Sequence, residues 1–593
     1  MGGVIVVLMV AALLRRWWRW PWWAIFGLGL FTIVLASGIV VRSTALGLGV
    51  IAAVIGARKM FPSLASIFSA RDMRWDQINE LVTHTDPWDA VHSYWREHHG
   101  TDLHVGINKD GWVTAPGRLA MVVLGRPGSG KTASVLVPQV LLASRAVIAV
   151  TTKGPDIYGP TAQTRARLGT LWHYNPTGSD GVLPGCIPLR WSPLVGAQNW
   201  DQAMLTGHSL AEALEGAGES SATNKFFQQT AHEIVSVVLH GAAIAGKDME
   251  FVLDAMYGMK SAVQELEQII FSSDSQNAKR FFTSLVSADE RTKRNIETTA
   301  KLCFKAYSTD KALASSLCPN FDPAAFARSS DTIYITAPAN QQELVGPLIV
   351  TLLTQIRDAR YELELAEAGQ HPPMYWALDE LSSMARIKRF PQLVSQSGST
   401  GLFITACLQD LSQAERIWGS EGRNLPSFMT AVIFPGIGNK ETLETISAYG
   451  EKVWITKVTQ SWSTSASTSE SWATGDQRVN YSSTSATNST QGKSETVHLI
   501  QRMTTGDVRG ARAGIGAEHI SGDNRAVLIG SDHPIAVETM PYYATSPFRE
   551  ALIDNAVWAA SQGYHTLPTP RLNTDDLSQP WREKYESVLE LCT

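Results

Sequence analysis

Residues 119–132 read LAMVVLGRPGSGKT, and this stretch decides which fold the chain adopts. The apolar run 119–124 is typical of a buried parallel strand. Residues 125–132, GRPGSGKT, match the pattern G-x-x-x-x-G-K-[ST] at every fixed position. The next segment, ASVLVPQVLLAS, predicts a helix whose amino terminus faces the loop and favours an anion. Strand, glycine-rich loop and helix in this order favour a phosphate-binding loop over a purely structural glycine turn.

Each residue type in the loop has a physical role in holding phosphates. The glycines allow the backbone N–H groups to wrap phosphate oxygens. Lys131 supplies a mobile cation to the β- and γ-phosphates, and Thr132 offers its hydroxyl to Mg²⁺. We therefore expect ATP and Mg²⁺ as cofactors. The predicted nucleotide-binding residues are Gly125, Arg126, Pro127, Gly128, Ser129, Gly130, Lys131 and Thr132.

A site that hydrolyses a nucleotide also needs a carboxylate on a neighbouring strand. Residues 374–380 read MYWALDE, an apolar strand that ends in two acids. We predict that Asp379 shares the Mg²⁺ with Thr132, and that Glu380 orients and deprotonates the attacking water. Acidic pairs at strand ends are common, so this prediction depends on the phosphate-binding loop that accompanies it.

A third predicted strand, residues 401–407 (GLFITAC), is followed closely by Gln409. An amide directly after the strand beside a catalytic carboxylate can sense the γ-phosphate, and the alternative is that Gln409 caps a turn. Glu380, Lys131 and Gln409 are thus the predicted catalytic residues, and Thr132 and Asp379 are the predicted metal ligands.

Further apolar runs predict more strands, at 146–150, 332–336, 431–434 and 526–529. Together the strands predict an α/β fold, a largely parallel sheet of the RecA-like P-loop kind. Apolar residues recur at helical spacing in residues 224–245, and strand-like runs are absent between 195 and 325, which predicts an inserted all-α domain.

Residues 461–495 are rich in Ser and Thr, which is typical of a solvated loop or of a polar hairpin that turns at Gly475–Asp476. The predicted domains are a membrane anchor at 1–62, a first nucleotide-binding part at 63–194, the all-α insertion at 195–325, a second nucleotide-binding part at 326–560 that includes the hairpin or loop at about 455–495, and a tail at 561–593.

Composition excludes two classes of protein, the disordered chain and the disulfide scaffold. The 593 residues are 44% hydrophobic with 19 Trp, which excludes disorder of the whole chain, and five scattered cysteines exclude a disulfide scaffold. Residues 1–60 carry six basic residues and no acid, so the rest of the chain carries a formal charge of -11 against a total of -5. Bulk charge of that sign does not indicate nucleic-acid binding.

The amino-terminal region predicts a membrane anchor. Residues 22–41 form an apolar run long enough for one span, and a second run covers 44–57. Arg15, Arg16 and Arg19 precede the first run, and Arg58 and Lys59 follow the second. The positive-inside tendency favours a hairpin of two transmembrane helices over one span with a re-entrant piece or a signal peptide. We expect a multi-pass protein of the inner or plasma membrane, with the ATPase body in the cytoplasm.

These motifs, together with three further stretches, resemble the type IV coupling proteins, the TraG/TraD-type membrane ATPases of conjugative DNA transfer. The stretches are LDELSSMARI…GLFITACLQDLSQAERIWG at 378–419, FPGIGNKETLETISAYG at 434–450 and SDHPIAVETMPYY at 531–543. The resemblance implies that Asp379, Glu380 and Gln409 are the Mg²⁺, catalytic and sensor positions. It also implies a homo-hexamer with a central channel, which feeds relaxase-bound single-stranded DNA to a type IV secretion channel.

The sequence departs from the family in two places. The family usually has an Asp and a Glu flanking the Lys after the strand that follows the P-loop helix. Here the region reads TTKGPDIY, which leaves Lys153 and Asp156. The family often has an Arg shortly before the sensor strand, where this chain has residues 398–400, GST. The remaining candidates for a trans-acting arginine, each of which is otherwise a solvated surface residue, are Arg386, Arg389 and Arg423.

The sequence supports three functional hypotheses. The first is a motor that couples ATP hydrolysis to export of relaxase-bound single-stranded DNA, with the relaxosome, the secretion channel components, the membrane and further copies of the chain as partners. The second is an FtsK/HerA-like translocase of DNA or protein. The third is a docking platform for the relaxosome that binds ATP and hydrolyses it weakly, which the two departures favour.

Overall fold

The structure of the chain is a computed structural model. It describes residues 87–592 apart from gaps at 110, 180, 213–221, 451, 476–477, 515–519, 521–523, 531–532, 563–571 and 573–576. The chain divides into two compact units, residues 1–77 with 109–112, and residues 78–108 with 113–593. The second unit contains all the predicted nucleotide-binding residues.

The described residues form fourteen strands. They are β1 (Leu103–Asn108), β2 (Gly111–Ala115), β3 (Met121–Leu124), β4 (Val147–Thr151), β5 (Leu171–Tyr174), β6 (Ile187–Pro188), β7 (Thr332–Thr336), β8 (Met374–Leu378), β9 (Leu402–Leu408), β10 (Thr430–Ile433), β11 (Lys452–Gly475), β12 (Arg478–Gln501), β13 (Arg525–Ile529) and β14 (Ile535–Glu538).

Twelve of these strands form one sheet in the order β2-β1-β14-β13-β10-β3-β9-β8-β4-β7-β5-β6. From β10 to β6 the neighbouring strands are parallel. The pairs β10–β13, β13–β14 and β14–β1 are antiparallel. The sheet is therefore mixed, and the predicted α/β class is confirmed.

Helices connect the strands. They are α1 (Pro87–His98), α2 (Val137–Leu142), α3 (Gly154–Ala166), α4 (Trp200–Glu212), α5 (Ala222–Ile244), α6 (Met249–Tyr257), α7 (Lys260–Ser272), α8 (Gln276–Val286), α9 (Glu290–Cys303), α10 (Asp310–Ala314), α11 (Pro323–Arg328), α12 (Gln342–Ala366), α13 (Phe390–Ser397), α14 (Leu411–Trp418), α15 (Ser420–Arg423), α16 (Lys440–Tyr449), α17 (Thr505–Arg509), α18 (Phe548–Ser561) and α19 (Gln579–Cys592). A π-helical turn at Thr132–Leu136 leads into α2.

The parallel strands at the centre of the sheet are buried along their whole length, as their continuous apolar sequences require. Every residue of β3, β4, β8 and β9 is buried. Between β6 and β7, every regular element that the described residues form is a helix, and these helices have their own core around Val235, Leu239 and Leu266. Helix α5 has apolar residues that recur every three or four positions, and its residues from 234 to 243 are all buried.

The Ser/Thr-rich region forms an antiparallel hairpin. Strands β11 and β12 pair one to one from Lys452↔Gln501 to Gly475↔Arg478, as a two-stranded sheet separate from the large one. We call this element the ribbon.

The predicted multi-pass membrane localisation needs correction. Among the helices of residues 87–592 that the structure describes, none combines the length and the apolar character that crossing a bilayer requires. The two runs on which that prediction was based, residues 22–41 and 44–57, lie outside the described residues.

A buried amide fixes the helix that comes after the phosphate-binding loop. Gln139 on α2 donates through Nε2 to the carbonyl of His104 on β1, at 2.6 Å. Its Oε1 accepts hydrogen bonds from the Tyr375 hydroxyl on β8 (2.5 Å) and the Thr405 hydroxyl on β9 (2.8 Å). One side chain thus satisfies polar groups of three strands that have no access to water.

We predict that Gln139→Leu lowers the free energy of unfolding by about 2–4 kcal/mol, because two buried hydroxyls and a buried carbonyl would lose the hydrogen bonds that Gln139 makes with them. Chemical denaturation followed by circular dichroism measures the change. Gln264→Leu on the exposed side of α7 is the matched control and should stay within about 0.5 kcal/mol of the unaltered chain. Equal stability of the two variants would contradict the prediction.

Candidate nucleotide-binding site

The glycine-rich loop begins where β3 ends. Gly128 and Gly130 have φ angles of +74° and +89°, in the left-handed region that side chains with a Cβ rarely adopt. Gly125 is needed for a different reason, since a Cβ there would lie 2.7 Å from the Cβ of Phe434. The backbone can therefore curl at this point only because the sequence supplies glycine at these three positions.

Lys131 lies over its own loop. Its Nζ donates to the carbonyl of Gly125 at 2.6 Å and to that of Arg126 at 3.1 Å. These two carbonyls hold the ammonium group within the curve of the loop, where the sequence predicts phosphate oxygens. The lysine is thus positioned for the phosphate-binding role that was predicted for it.

The predicted metal ligands are in direct contact. The Thr132 hydroxyl donates to Oδ1 of Asp379 at 2.6 Å, and the Thr151 hydroxyl donates to Oδ2 at 3.3 Å. Thr132 belongs to the loop, Thr151 ends β4, and Asp379 follows β8. A hydroxyl and a carboxylate are oxygen donors of the kind that Mg²⁺ prefers, so these residues fit Mg²⁺ held together with nucleotide phosphates.

Burial raises the pKa of Asp379, and the charge of Asp156 raises it further. The hydrogen bond from Thr132, the Lys131 ammonium and the hydrogen bond from Thr151 act in the opposite direction. A carboxylate in this position gains from a cation, because a cation offsets the cost of keeping the charged form away from water.

Glu380 lies next to Asp379 and is only partly buried. Burial raises its pKa, and the charge of Asp379 raises it further. The Ser383 hydroxyl lies 3.4 Å from its Oε2. A carboxylate with a raised pKa is a better proton acceptor, which is the property that a general base requires.

Gln409 is exposed at the end of β9, and its backbone N–H donates to the side chain of Gln413 at 2.9 Å. Leu408 directly precedes Gln409. Its carbonyl accepts a hydrogen bond from the N–H of Gly125 at 3.3 Å. The start of the loop therefore lies against the residue that precedes the predicted sensor.

Strand order explains why these residues meet. Strands β3, β9, β8 and β4 are parallel neighbours, so their carboxyl ends lie at one edge of the sheet. The loop follows β3, Gln409 follows β9, and Asp379 and Glu380 follow β8. All the residues predicted for catalysis, metal binding and nucleotide binding thus lie at this edge, as expected for ligand sites of parallel α/β sheets.

Three contributions to the site were not predicted. Thr151 donates to Asp379, and its signal in the sequence was a polar residue at the end of a buried strand. Asp156, at the start of α3, adds negative charge near Asp379. The N–H of Tyr542 donates to the carbonyl of Ala133 at 3.0 Å, so the SDHPIAVETMPYY stretch contacts the first turn after the loop.

Each candidate arginine forms an ion pair or a hydrogen bond within the chain. Arg389 Nη2 is 3.1 Å from a carboxylate oxygen of Glu212 on α4, and Arg423 Nη2 is 2.6 Å from that of Glu415 on α14. Arg386 is exposed, and its Nε donates to a main-chain carbonyl at 2.6 Å. Within the described residues, none of the three forms part of the chain's own nucleotide site.

Known proteins resemble both the sequence and the fold. A family model described as the TraM recognition site of TraD and TraG matches residues 373–504. The bacterial conjugative coupling protein TrwBdeltaN70, in an unbound monoclinic form, aligns with a TM-score of 0.51 and 14% identity, over 76% of this chain and 91% of its own. TrwB in complex with the non-hydrolysable ATP analogue ADPNP aligns with a TM-score of 0.51 and 13% identity, over 79% and 93%. No protein with a curated description matches the sequence.

The resemblance to the type IV coupling proteins is confirmed. At these identities the structural likeness shows the fold, and it supports the RecA-like P-loop prediction. In this chain the segment that matches the family model starts one residue before β8 and ends just before α17. It includes Asp379, Glu380, Gln409 and the whole ribbon.

We predict that Lys131→Ala weakens binding of a fluorescent ATP analogue by at least about tenfold, because the loop loses the cation that faces the phosphates. The melting temperature should change little, since the hydrogen bonds of the ammonium group go to carbonyls of its own loop. Lys440→Ala, at an exposed lysine, should bind the analogue normally. Unchanged binding by Lys131→Ala would contradict the assignment of the loop.

Proposed function

We propose that the chain is the ATPase of a conjugative DNA transfer system, and that it uses ATP hydrolysis to pass relaxase-bound single-stranded DNA into a type IV secretion channel. The observation that carries this proposal is the 2.6 Å hydrogen bond between Thr132 and Asp379, with Glu380 beside it. It brings the phosphate-binding loop and the predicted base to one edge of the sheet, which a hydrolytic site requires.

The residues divide the chemical work among them. The loop N–H groups and Lys131 bind the phosphates and orient the γ-phosphoryl group. Thr132 and Asp379 would hold Mg²⁺, which supplies positive charge where negative charge develops in the transition state. Glu380 accepts the proton of the attacking water, and its raised pKa suits it to that step.

Gln409 is the proposed link between hydrolysis and movement. Helix α14 starts two residues after it, with Asp410 as the cap that accepts hydrogen bonds from Ser412 and Gln413. The N–H of Leu411 donates to the buried hydroxyl of Thr442 on α16 at 3.1 Å. A displacement of Gln409 would therefore pass to α14 and from there to α16, because rigid hydrogen-bonded elements move together.

The proposed partners are single-stranded DNA, the relaxosome, components of the secretion channel and further copies of this chain in a homo-hexamer. The family model supports the relaxosome, since its description names a recognition site for TraM and it covers residues 373–504. The fold shared with TrwB, which is described as a conjugative coupling protein, supports the role in conjugation.

A docking platform that hydrolyses ATP weakly is the second candidate. It is favoured by residues 398–400, which lack the family's arginine, and by the ion pairs that hold Arg389 and Arg423. Stimulation by DNA separates the two candidates: a motor hydrolyses ATP faster when single-stranded DNA is added, and a platform does not.

We predict that Glu380→Gln binds ATP normally and hydrolyses it about 10²–10⁴ times more slowly, because the amide keeps the shape and loses the base. The measurement is phosphate release with and without single-stranded DNA. Glu267→Gln, at an exposed position of α7, should retain the full rate. Normal turnover by Glu380→Gln would assign the base to another acid, and the absence of stimulation by DNA in the unaltered chain would favour the platform.

A pH profile tests the same base. Burial and the charge of Asp379 raise the pKa of Glu380, so the base stays protonated to a higher pH than an ordinary glutamate. The acid limb of kcat/KM, which reports groups of the chain before nucleotide and Mg²⁺ bind, should therefore lie above pH 4.5, with activity lost as the pH falls through the raised value. An acid limb at or below the ordinary glutamate value would contradict this role for Glu380.

A further inference from the structure

The ribbon has two faces of different composition. In an antiparallel pair, residues directly opposite one another share a face, as do residues two apart along a strand. The register therefore places Trp454, Trp462, Trp472 and Tyr481 on one face. Between the pairs Thr459↔Ser494 and Ala473↔Asn480, the other face carries only small uncharged residues, which are Thr459, Ser461, Ser463, Ser465, Ser467, Ser469, Ser471 and Ala473 on β11 with Asn480, Ser482, Thr484, Ala486, Asn488, Thr490, Gly492 and Ser494 on β12.

The outer edges of the ribbon are long and unprotected. Among the described strands, none other than β11 and β12 takes part in this sheet, so each keeps one edge without a strand partner. Proteins usually protect such edges with lysine, proline or a bulge. Residues 458–469 and 479–492 contain no charged residue and no proline, and the pairing runs one to one with no bulge.

The length of the ribbon favours pairing of its edges with a further strand. With 24 residues per strand, at about 3.3 Å per residue, the ribbon is about 80 Å long. A two-stranded hairpin by itself is marginally stable in water, and independent stability needs three or more strands with a hydrophobic face, or packing against a helix. A strand of this length and composition is therefore expected to pair with another strand.

We propose that the ribbon is an assembly arm, which joins copies of this chain by edge-to-edge pairing. The free edge of β11 in one copy pairs with the free edge of β12 in the next, and the two ribbons point in the same direction. The strands then alternate in direction across the joint, as they do inside each ribbon. This interaction is independent of the nucleotide site. It rests on the proposed function, which includes assembly of several copies of the chain, and it assigns an element to the contact between them.

A second copy is the occupant that best matches the edge. Each ribbon has one β11 edge and one β12 edge of equal length, so a head-to-tail joint uses both edges. Along most of this joint, uncharged residues of one copy lie opposite uncharged residues of the next. In a joint that keeps the register of the ribbon, no charged residue of β11 lies opposite a charged residue of β12, so the joint sets no like charges side by side.

Disulfide cross-linking of the full chain tests the joint. Single cysteines are introduced as Ser465→Cys in one preparation, and as Ala486→Cys, Asn488→Cys or Thr490→Cys in others, so that no ribbon holds both. All variants also carry Cys318→Ser, because Cys318 is an exposed thiol. We expect a cross-linked dimer when the β11 variant is mixed with a β12 variant, above the level given by either one alone or by Cys318→Ser itself.

Two outcomes would overturn the proposal. If no mixture cross-links above background, the edges do not meet. If each cysteine cross-links only to the same position in another copy, the joint is symmetric and the head-to-tail arrangement is wrong.

Lysines placed on the edges provide a second, independent measurement. Ser465→Lys combined with Asn488→Lys should shift the full chain toward the monomer in analytical ultracentrifugation, because charge on an edge opposes strand pairing. Thr283→Lys on exposed α8 is the matched control and should assemble normally. Binding of the ATP analogue should stay unchanged in both, which separates failure of the arm from failure of the nucleotide site. A pure unaltered chain that is monomeric, or a lysine variant that assembles normally, would show that the arm does not join copies of this chain.

Discussion

The hydrogen bond between Thr132 and Asp379 joins residues that are 247 positions apart in the sequence. It forms because β3 and β8 flank the same strand, β9, and all three point the same way. The site depends on that adjacency, because the phosphate-binding loop, the acids and the predicted sensor each follow a different strand. The large sheet is thus what makes a site from residues that are remote in the sequence.

The central strands were predictable because a strand that is buried on both faces has a continuous apolar sequence. Continuous apolar runs that end in glycine or acid marked β3 and β8, and β9 differs from its prediction by one residue at each end. The loop was predictable because phosphate binding restricts its residue types. Strands β5 and β6 gave no comparable signal, since β5 contains a histidine and β6 has only two residues.

Contacts between distant elements were not predictable. The sequence marks Thr151 only as a polar residue at the end of a buried strand. It does not indicate that the hydroxyl meets Asp379, because that contact depends on β4 pairing with β8. The antiparallel addition of β13 and β14 also depends on long-range order. The Ser/Thr-rich region left a loop and a hairpin as alternatives, since small polar residues suit both, and only the pairing register shows how its residues divide between two faces.

The position of β3 has a consequence for how the chain is made. Its two neighbours, β9 and β10, come about 300 residues later in the chain, so β3 leaves the ribosome long before either of them. At about 5–20 residues per second the interval is roughly 15–60 s. During that time the segment MVVL has neither of the strands that cover its edges in the finished sheet. Synthesis therefore exposes an apolar strand for longer than most folding steps last, and the nascent chain is a natural client for chaperones that bind extended hydrophobic segments.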